Sequence, residues 1–286
     1  RMGDETGIAD QWGENFSGTK MDAYEDELTV PLFLPWAEHL LDVVEVDAGE
    51  AAIDVACGPG TVARLQAGRV GIEGQVVACD FSEEMLSIAR SKPPAQGAPI
   101  EYRLCPAEAL DVPSGAFDVL TCQQGYQFFS DRSVALAEMR RVLRPGGRLA
   151  VSVWAEFEEM GPWPALGDAI AITFGDDLAE AFRSGPWGLP DGNAIAEEFR
   201  AAGFAEVSLR REVVPITLDG VDHLIRTLGA APIWSEVAGL SDAKFQQFRD
   251  AADAACNRWQ DPSGAIRGET TSHIIAATTP SLGLSG

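Results

Sequence analysis

From residue 50 onward, short apolar runs alternate with stretches whose apolar positions recur every three or four residues. The runs Ala51–Ala56, Val76–Asp80, Ile100–Leu104, Phe117–Cys122 and Arg148–Trp154 predict strands. Thr61–Val70, Glu83–Arg90 and Arg132–Leu143 predict helices between them. The last of these sets Val134, Leu136, Ala137, Met139, Val142 and Leu143 in a helical rhythm, and Arg144-Pro145-Gly146-Gly147 ends it and turns the chain into the next strand. Such alternation predicts an α/β fold, a parallel sheet covered by helices on both faces.

Past Trp154 the rhythm changes. Gly161-Pro162-Trp163-Pro164 and Gly185-Pro186-Trp187-Gly188 punctuate one or two helices in 156–188. A helix over Asp191–Ala202 leads through Gly203 into a long strand, Glu206–Leu218. Residues 220–260 read as helical up to Pro262-Ser263-Gly264, and His273–Thr278 reads as a final strand. The N-terminal segment, with Trp12, Phe16, Tyr24, Phe33 and Trp36, reads as packing. The organisation expected is 1–45 as N-terminal lid helices and 46–155 as the core. A lid insert at 156–188 follows, then core again at 189–218, a second insert at 219–268 and a final core strand with its tail at 269–286.

Composition narrows the functions available. The chain has 286 residues, of which 46% are apolar, enough for an ordinary core. Its 21 basic and 44 acidic residues leave a net charge of −23, with no Lys/Arg run, so nucleic acid and anionic membranes are poor partners. Five cysteines form no C-x-x-C pair and suit free thiols in a reducing cytoplasm. The histidines, His39, His223 and His273, lie too far apart to read as a zinc site, so no metal is expected. Arg1–Asp10 lacks the apolar core of an export signal, and nowhere do eighteen apolar residues run together.

The sharpest chemical signal is Ile53-Asp54-Val55-Ala56-Cys57-Gly58-Pro59-Gly60-Thr61-Val62-Ala63, where a strand becomes a helix. Glycines there let backbone approach a ligand closely. Asp80, twenty residues past Gly60 and at the end of the next strand, can accept both hydroxyls of a ribose. Together they indicate an adenosine-containing cofactor. Gly58-x-Gly60-x-x-Ala63 with Asp80 also satisfies the dinucleotide fingerprint, so a nicotinamide-dependent oxidoreductase stands as the alternative. Asp54 distinguishes the two: a carboxylate would repel a pyrophosphate but favour an ammonium or sulfonium.

The stretch from Tyr24 to Trp154 resembles class I S-adenosylmethionine-dependent methyltransferases, particularly the small-molecule type similar to ubiquinone/menaquinone C-methyltransferases. Asp54-x-Ala56-x-Gly58-x-Gly60 resembles their acidic-x-Gly-x-Gly-x-Gly loop, and Val76–Leu86 looks like the second motif. Pro106–Leu110 followed by Phe117–Leu120 resembles the adenine-contacting loop and fourth strand, and Leu143–Leu149 the turn before the fifth. The resemblance implies a doubly wound, seven-stranded, mostly parallel sheet of Rossmann-like methyltransferase type, its last strand antiparallel, with the inserts forming a helical lid. It implies S-adenosylmethionine as cofactor and S-adenosylhomocysteine as product. Ala56, Cys57 and Gly58 would line the methionine moiety, with Gln123 and Gln124 beside it and Tyr24 closing from the N-terminal segment. Asp80 would hold the ribose, Phe81 and Met85 would flank the adenine, and the Ala107 amide would contact an adenine nitrogen.

Two departures stand out. Ala56 replaces a common glycine, a mild change if the strand end is ordinary in conformation. Pro106 stands where many relatives carry an adenine-binding Asp, leaving Glu108 or a backbone carbonyl to compensate. The expected reaction is methyl transfer to a small apolar or aromatic acceptor. Trp163, Trp187 and Trp234 are candidates for an apolar acceptor pocket or for lid core. His223 is the best general base by chemistry, yet no catalytic residue is assigned. A methyltransferase-like binding protein without catalysis is a further alternative, and the acceptor atom and oligomeric state are open.

Overall fold

A computed structural model describes residues 24–281, except 188, 190 and 232. Trp12 and Phe16, expected in the packing layer, lie outside the described residues, as does the Trp234 side chain. A π-type helix over Tyr24–Phe33 runs into α1 (Leu34–Val44). There follow β1 (Ala51–Val55), α2 (Thr61–Val70), β2 (Gln75–Asp80), α3 (Glu83–Ser91), β3 (Ile100–Leu104), β4 (Phe117–Gln123), α4 (Arg132–Val142) and β5 (Leu143–Trp154). Then come α5 (Trp163–Phe174), α6 (Asp176–Arg183), α7 (Gly192–Ala201), β6 (Ala205–Leu218), α8 (Val221–Arg226), α9 (Trp234–Ala238), α10 (Asp242–Cys256) and β7 (Ile266–Thr278).

The sheet has seven strands in the order β3-β2-β1-β4-β5-β7-β6. The first five are parallel, with Ile53 level with Val77 on one side and Leu120 on the other. β7 runs against β5, because the Thr279 amide donates to the Gly147 carbonyl and its carbonyl accepts the Gly146 amide, while the Thr271 carbonyl accepts the Ala155 amide. Strand order turns back at β1, so the carboxyl ends of β1 and β4 form the switch point at which sheets of this kind bind ligands.

Local chemistry explains the helix starts. Ser82 caps α3 by accepting the Met85 amide at 3.3 Å, with Glu83 and Glu84 in the positive first turn. Asp131 caps α4 through the Ser133 and Val134 amides, and Asp191 caps α7 through those of Asn193 and Ala194.

The chain divides into two compact units. Among the described residues, one holds 36–153, 191–212 and 272–281, and the other 24–35, 154–190 and 213–271. The division falls at residue 35, where the sequence places the end of the N-terminal segment at 45. Trp36, Ala37, Leu40 and Leu41 are fully buried, and Arg148 fastens the end of α1 by donating to the Val44 carbonyl at 2.9 Å. The insert expected to end at 268 gives way at Ile266, where β7 begins. Ile266–Ser272 is mostly polar and reads as loop by pattern, but it is drawn into strand by the ladder beside it.

The second unit is built on helices and rings. Trp163 Nε1 donates to Thr227 Oγ1 at 3.2 Å, and Phe174 meets Phe248 edge-on at 5.6 Å. Five ring contacts run in series from Tyr24 through Phe33, Trp154, Trp187 and Phe157 to Phe182, with centroids 4.6 to 6.2 Å apart. Among the described residues, no helix is long and apolar enough to cross a membrane.

Candidate functional site

The β1–α2 loop is held by its own backbone. The Cys57 amide donates to the Cys79 carbonyl at 2.9 Å, and the Gly60 amide to the Cys57 carbonyl at 2.9 Å. Ala56, Gly58 and Gly60 all have positive φ, at 56°, 51° and 81°. Ala56 is thus not the mild replacement expected from its sequence: it occupies the left-handed region where a Cβ costs about 1–2 kcal/mol. Its methyl fits because residue 125 is glycine. A Cβ on Gly125 would lie 2.5 Å from the Ala56 Cβ and 3.1 Å from Cys122 Sγ. Gln124, at φ 55°, carries a second strained non-glycine backbone at this edge.

Asp80 clasps the loop from the end of β2. Its Oδ2 accepts the Gly58 amide at 2.7 Å and its Oδ1 the Ser82 amide at 2.9 Å. Burial raises the carboxyl above its ordinary pKa, while these amides pull it down. Each oxygen keeps a lone pair for a ribose hydroxyl. The same bonds weigh against a pyrophosphate. The Cys57, Gly58 and Gly60 amides are already committed, Pro59 has none, and a carboxylate occupies the position an anion would take.

Asp54 is buried rather than exposed to a ligand. Only 1% of its surface is accessible. It is level with Thr121 across the β1–β4 ladder, so both side chains share a face. Thr121 Oγ1 donates to Asp54 Oδ1 at 2.7 Å and accepts Gln66 Nε2 at 2.9 Å. Asp54 Oδ2 has no hydrogen-bond partner among the described residues. Desolvation pushes its pKa up to about 7, opposed by Thr121 and the Ala63 amide. Thr121 and Gln66 were missed in the sequence. The available signal was Gln66 itself, a polar residue among the buried positions Val62, Ala63, Ala67 and Val70 of α2.

The other expected residues divide. Phe81 is 58% exposed beside Asp80, which removes it from the core, whereas Met85 is buried. Cys57 is buried and its thiol is held neutral by desolvation. Gly58 faces open space, with nothing within 4 Å of where a Cβ would stand. Ala107 is buried, and Glu108 Oε1 is engaged by the Ser130 amide and hydroxyl at 2.9 Å and the Asp131 amide at 3.2 Å. Gln123 is level with Ser152 of β5. Gln124 donates its Nε2 to Ser272 Oγ at 2.9 Å, and its Oε1 has no hydrogen-bond partner among the described residues. Tyr24 belongs to the helical unit, stacked on Phe33.

A clasp absent from the sequence reading holds the turn after β4. The buried Tyr126 donates its hydroxyl to Glu198 Oε2 of α7 at 2.5 Å, and Arg132 grips the same carboxylate with two bonds of 2.9 and 2.8 Å. Of the histidines, His223 sits in the helical unit, its Nε2 3.0 Å from the Glu27 carbonyl and its Nδ1 accepting the Asp219 amide. His39 is edge-on to Trp36, and His273 lies against Gly192 of α7. Among the described residues, no group of three or more His, Cys, Asp or Glu side chains is placed to hold a metal.

The model of the ubiE/COQ5 methyltransferase family matches residues 16–212. Nocamycin O-methyltransferase of Saccharothrix syringae is 31% identical over 214 residues, 70% of this chain and 75% of that protein. The ubiquinone/menaquinone biosynthesis C-methyltransferase UbiE of Xylella fastidiosa strain M12 is 34% identical over 185 residues, 58% and 72% of the two chains. Among solved structures, phosphoethanolamine N-methyltransferase 2 of Haemonchus contortus with S-adenosyl-L-methionine aligns at a TM-score of 0.59 and 18% identity, over 97% of this chain. This chain spans 61% of the length of that nematode protein. The structural likeness shows a shared Rossmann-like methyltransferase fold. The chain belongs to the ubiE/COQ5 methyltransferase family, and by family and fold it is an S-adenosylmethionine-dependent methyltransferase.

The residues present fit that cofactor. Gly58 leaves open space above the loop, Asp80 retains acceptor capacity for a diol, and Phe81 offers an exposed ring.

Proposed function

We propose that this protein transfers a methyl group from S-adenosylmethionine to a small apolar or aromatic metabolite. The observation that carries the reading is the β1–α2 loop: its amides are committed to its own carbonyls and to Asp80, which suits a cationic nucleoside and not a pyrophosphate. In this reading Asp80 holds the ribose diol. Phe81 and Met85 flank the adenine, with the Ala107 amide and Glu108 at its edge. Ala56, Cys57 and Gly58, with Gln123 and Gln124, border the methionine end. The donor supplies an already activated methyl group. The chain's own part is to align the acceptor and keep water out, so an acidic carbon nucleophile needs no strong base.

The small acceptor is supported by two relatives whose names specify O-methylation of nocamycin and C-methylation in quinone biosynthesis. The net charge of −23 points away from nucleic acid. The series of packed rings makes the helical unit an apolar, aromatic body, and acceptor choice is assigned to that unit. The cytoplasm is the compartment proposed, on five free cysteines.

The test is incubation with methyl-labelled S-adenosylmethionine and a panel of phenols, hydroquinones and enols. Label in the small-molecule fraction is the expected result. Label only in added RNA or protein would contradict the reading, and cofactor binding without transfer to any acceptor would favour a non-catalytic binding protein.

A further inference from the structure

Asp54 is an acid of the site that no cation balances among the described residues. It lies on β1 directly beneath the glycine loop. From β4 it receives a single neutral hydrogen bond, that of Thr121, whose hydroxyl proton is committed to Asp54 because its oxygen already accepts from Gln66. From α2 it faces the Ala63 amide at the first turn, and from β2 the carboxyl of Asp80. Cys57 of the loop, Cys122 of β4 and Tyr102 of β3 are its other titratable neighbours, each made harder to ionise by its presence. No cationic side chain pairs with it among the described residues. A fully buried carboxylate that faces only the neutral donors Thr121 and Ala63, its Oδ2 without a hydrogen-bond partner among the described residues, is costly to keep charged, so the neutral acid is favoured.

The ligand proposed for this loop brings a positive charge. Resting on that cofactor reading, we propose that Asp54 holds a proton in the donor-free protein and releases it to solvent when cationic S-adenosylmethionine binds, so that donor loading is coupled to proton release. The balance is simple: the carboxylic acid loses H⁺ to the buffer, and the resulting carboxylate offsets the bound cation within a low-dielectric site. The product S-adenosylhomocysteine lacks the sulfonium charge and retains less hold on that carboxylate. Asp54 would thus favour the charged donor over the spent product without touching either.

The test is calorimetric titration at pH 7 in phosphate and in Tris, whose ionisation heats differ, so that the difference in heat counts protons exchanged. With the wild-type chain, S-adenosylmethionine should release a fraction of a proton through Asp54, whose carboxyl burial pushes up to about 7. S-adenosylhomocysteine should release less. Asp54→Asn should lower the count by that fraction, leaving only the contribution of the ligand's own amine. Equal proton counts in wild type and Asp54→Asn would overturn the proposal. If Asp54→Asn does not fold, Thr121→Val carries the test: losing the hydroxyl donor should move maximal proton release to higher pH, and an unmoved profile would overturn it. Absence of any heat from either ligand would sink the cofactor reading itself, which is a different result from binding without proton release.

Discussion

Ala56 shows how much one side chain imposes on its surroundings. Its left-handed backbone and its methyl are accommodated only because Gly125 has no Cβ to meet it. Gly125→Ala should therefore destabilise the protein by about 1–3 kcal/mol through overpacking. Ala56→Gly should be close to neutral or slightly stabilising, since relief of about 1–2 kcal/mol of strain is partly offset by the extra freedom of glycine in the unfolded chain. Combining the two should recover much of the loss, and urea unfolding of all three variants measures that coupling. At Asp80, replacement by Ala removes a charged acceptor for the ribose and should weaken S-adenosylmethionine at least about tenfold, read by titration of the folded variant. The two acids and the glycines were legible in the sequence because the loop's spacing requires them. The strain at Ala56 and the burial of Asp54 were not, because both depend on β4, a neighbour some seventy residues away.

Among elements, the turn after β4 is the one that tertiary contacts define. Nothing in Gly125-Tyr126-Gln127-Phe128 fixes its path. It is seated by Glu198, which receives Tyr126 and a two-pronged Arg132. Arg132 holds the Glu198 carboxyl below its ordinary range, so the clasp is at full strength above that range and weakens as pH falls through the lowered pKa. Glu198→Ala should lower the melting temperature by several degrees and loosen this turn, seen as faster amide exchange at Tyr126–Phe128. Most helices were legible from periodicity and caps, as with Ser82 and Asp131. The early start of β7 was not, because Arg267, Gly268 and Glu269 have no strand-like pattern and are recruited by pairing. The Pro145-Gly146-Gly147 turn likewise reads as a break, but lies within β5, whose first residue, Leu143, pairs with Phe117.

For the whole molecule, the buried acid beneath the loop has a consequence for stability. The folded-state pKa of Asp54 is raised to about 7, above that of a carboxyl in the unfolded chain. Folding therefore holds a proton that the unfolded chain has already released, and this contribution to stability declines as pH rises from about 4 to about 7. Asp54→Asn should accordingly raise the melting temperature of the ligand-free protein more at pH 8 than at pH 5, measured by scanning calorimetry. An equal effect at both would contradict it. The division into two units was only partly legible: the change of rhythm after Trp154 marks one boundary, whereas α1 joins the sheet unit through burial of Trp36, Leu40 and Leu41 that an N-terminal pattern does not reveal. Titrating one sample with S-adenosylmethionine, S-adenosylhomocysteine and NAD asks whether this loop is built for a cationic nucleoside donor. Binding of the first two and none of NAD is expected; binding of NAD alone would show a dinucleotide site instead.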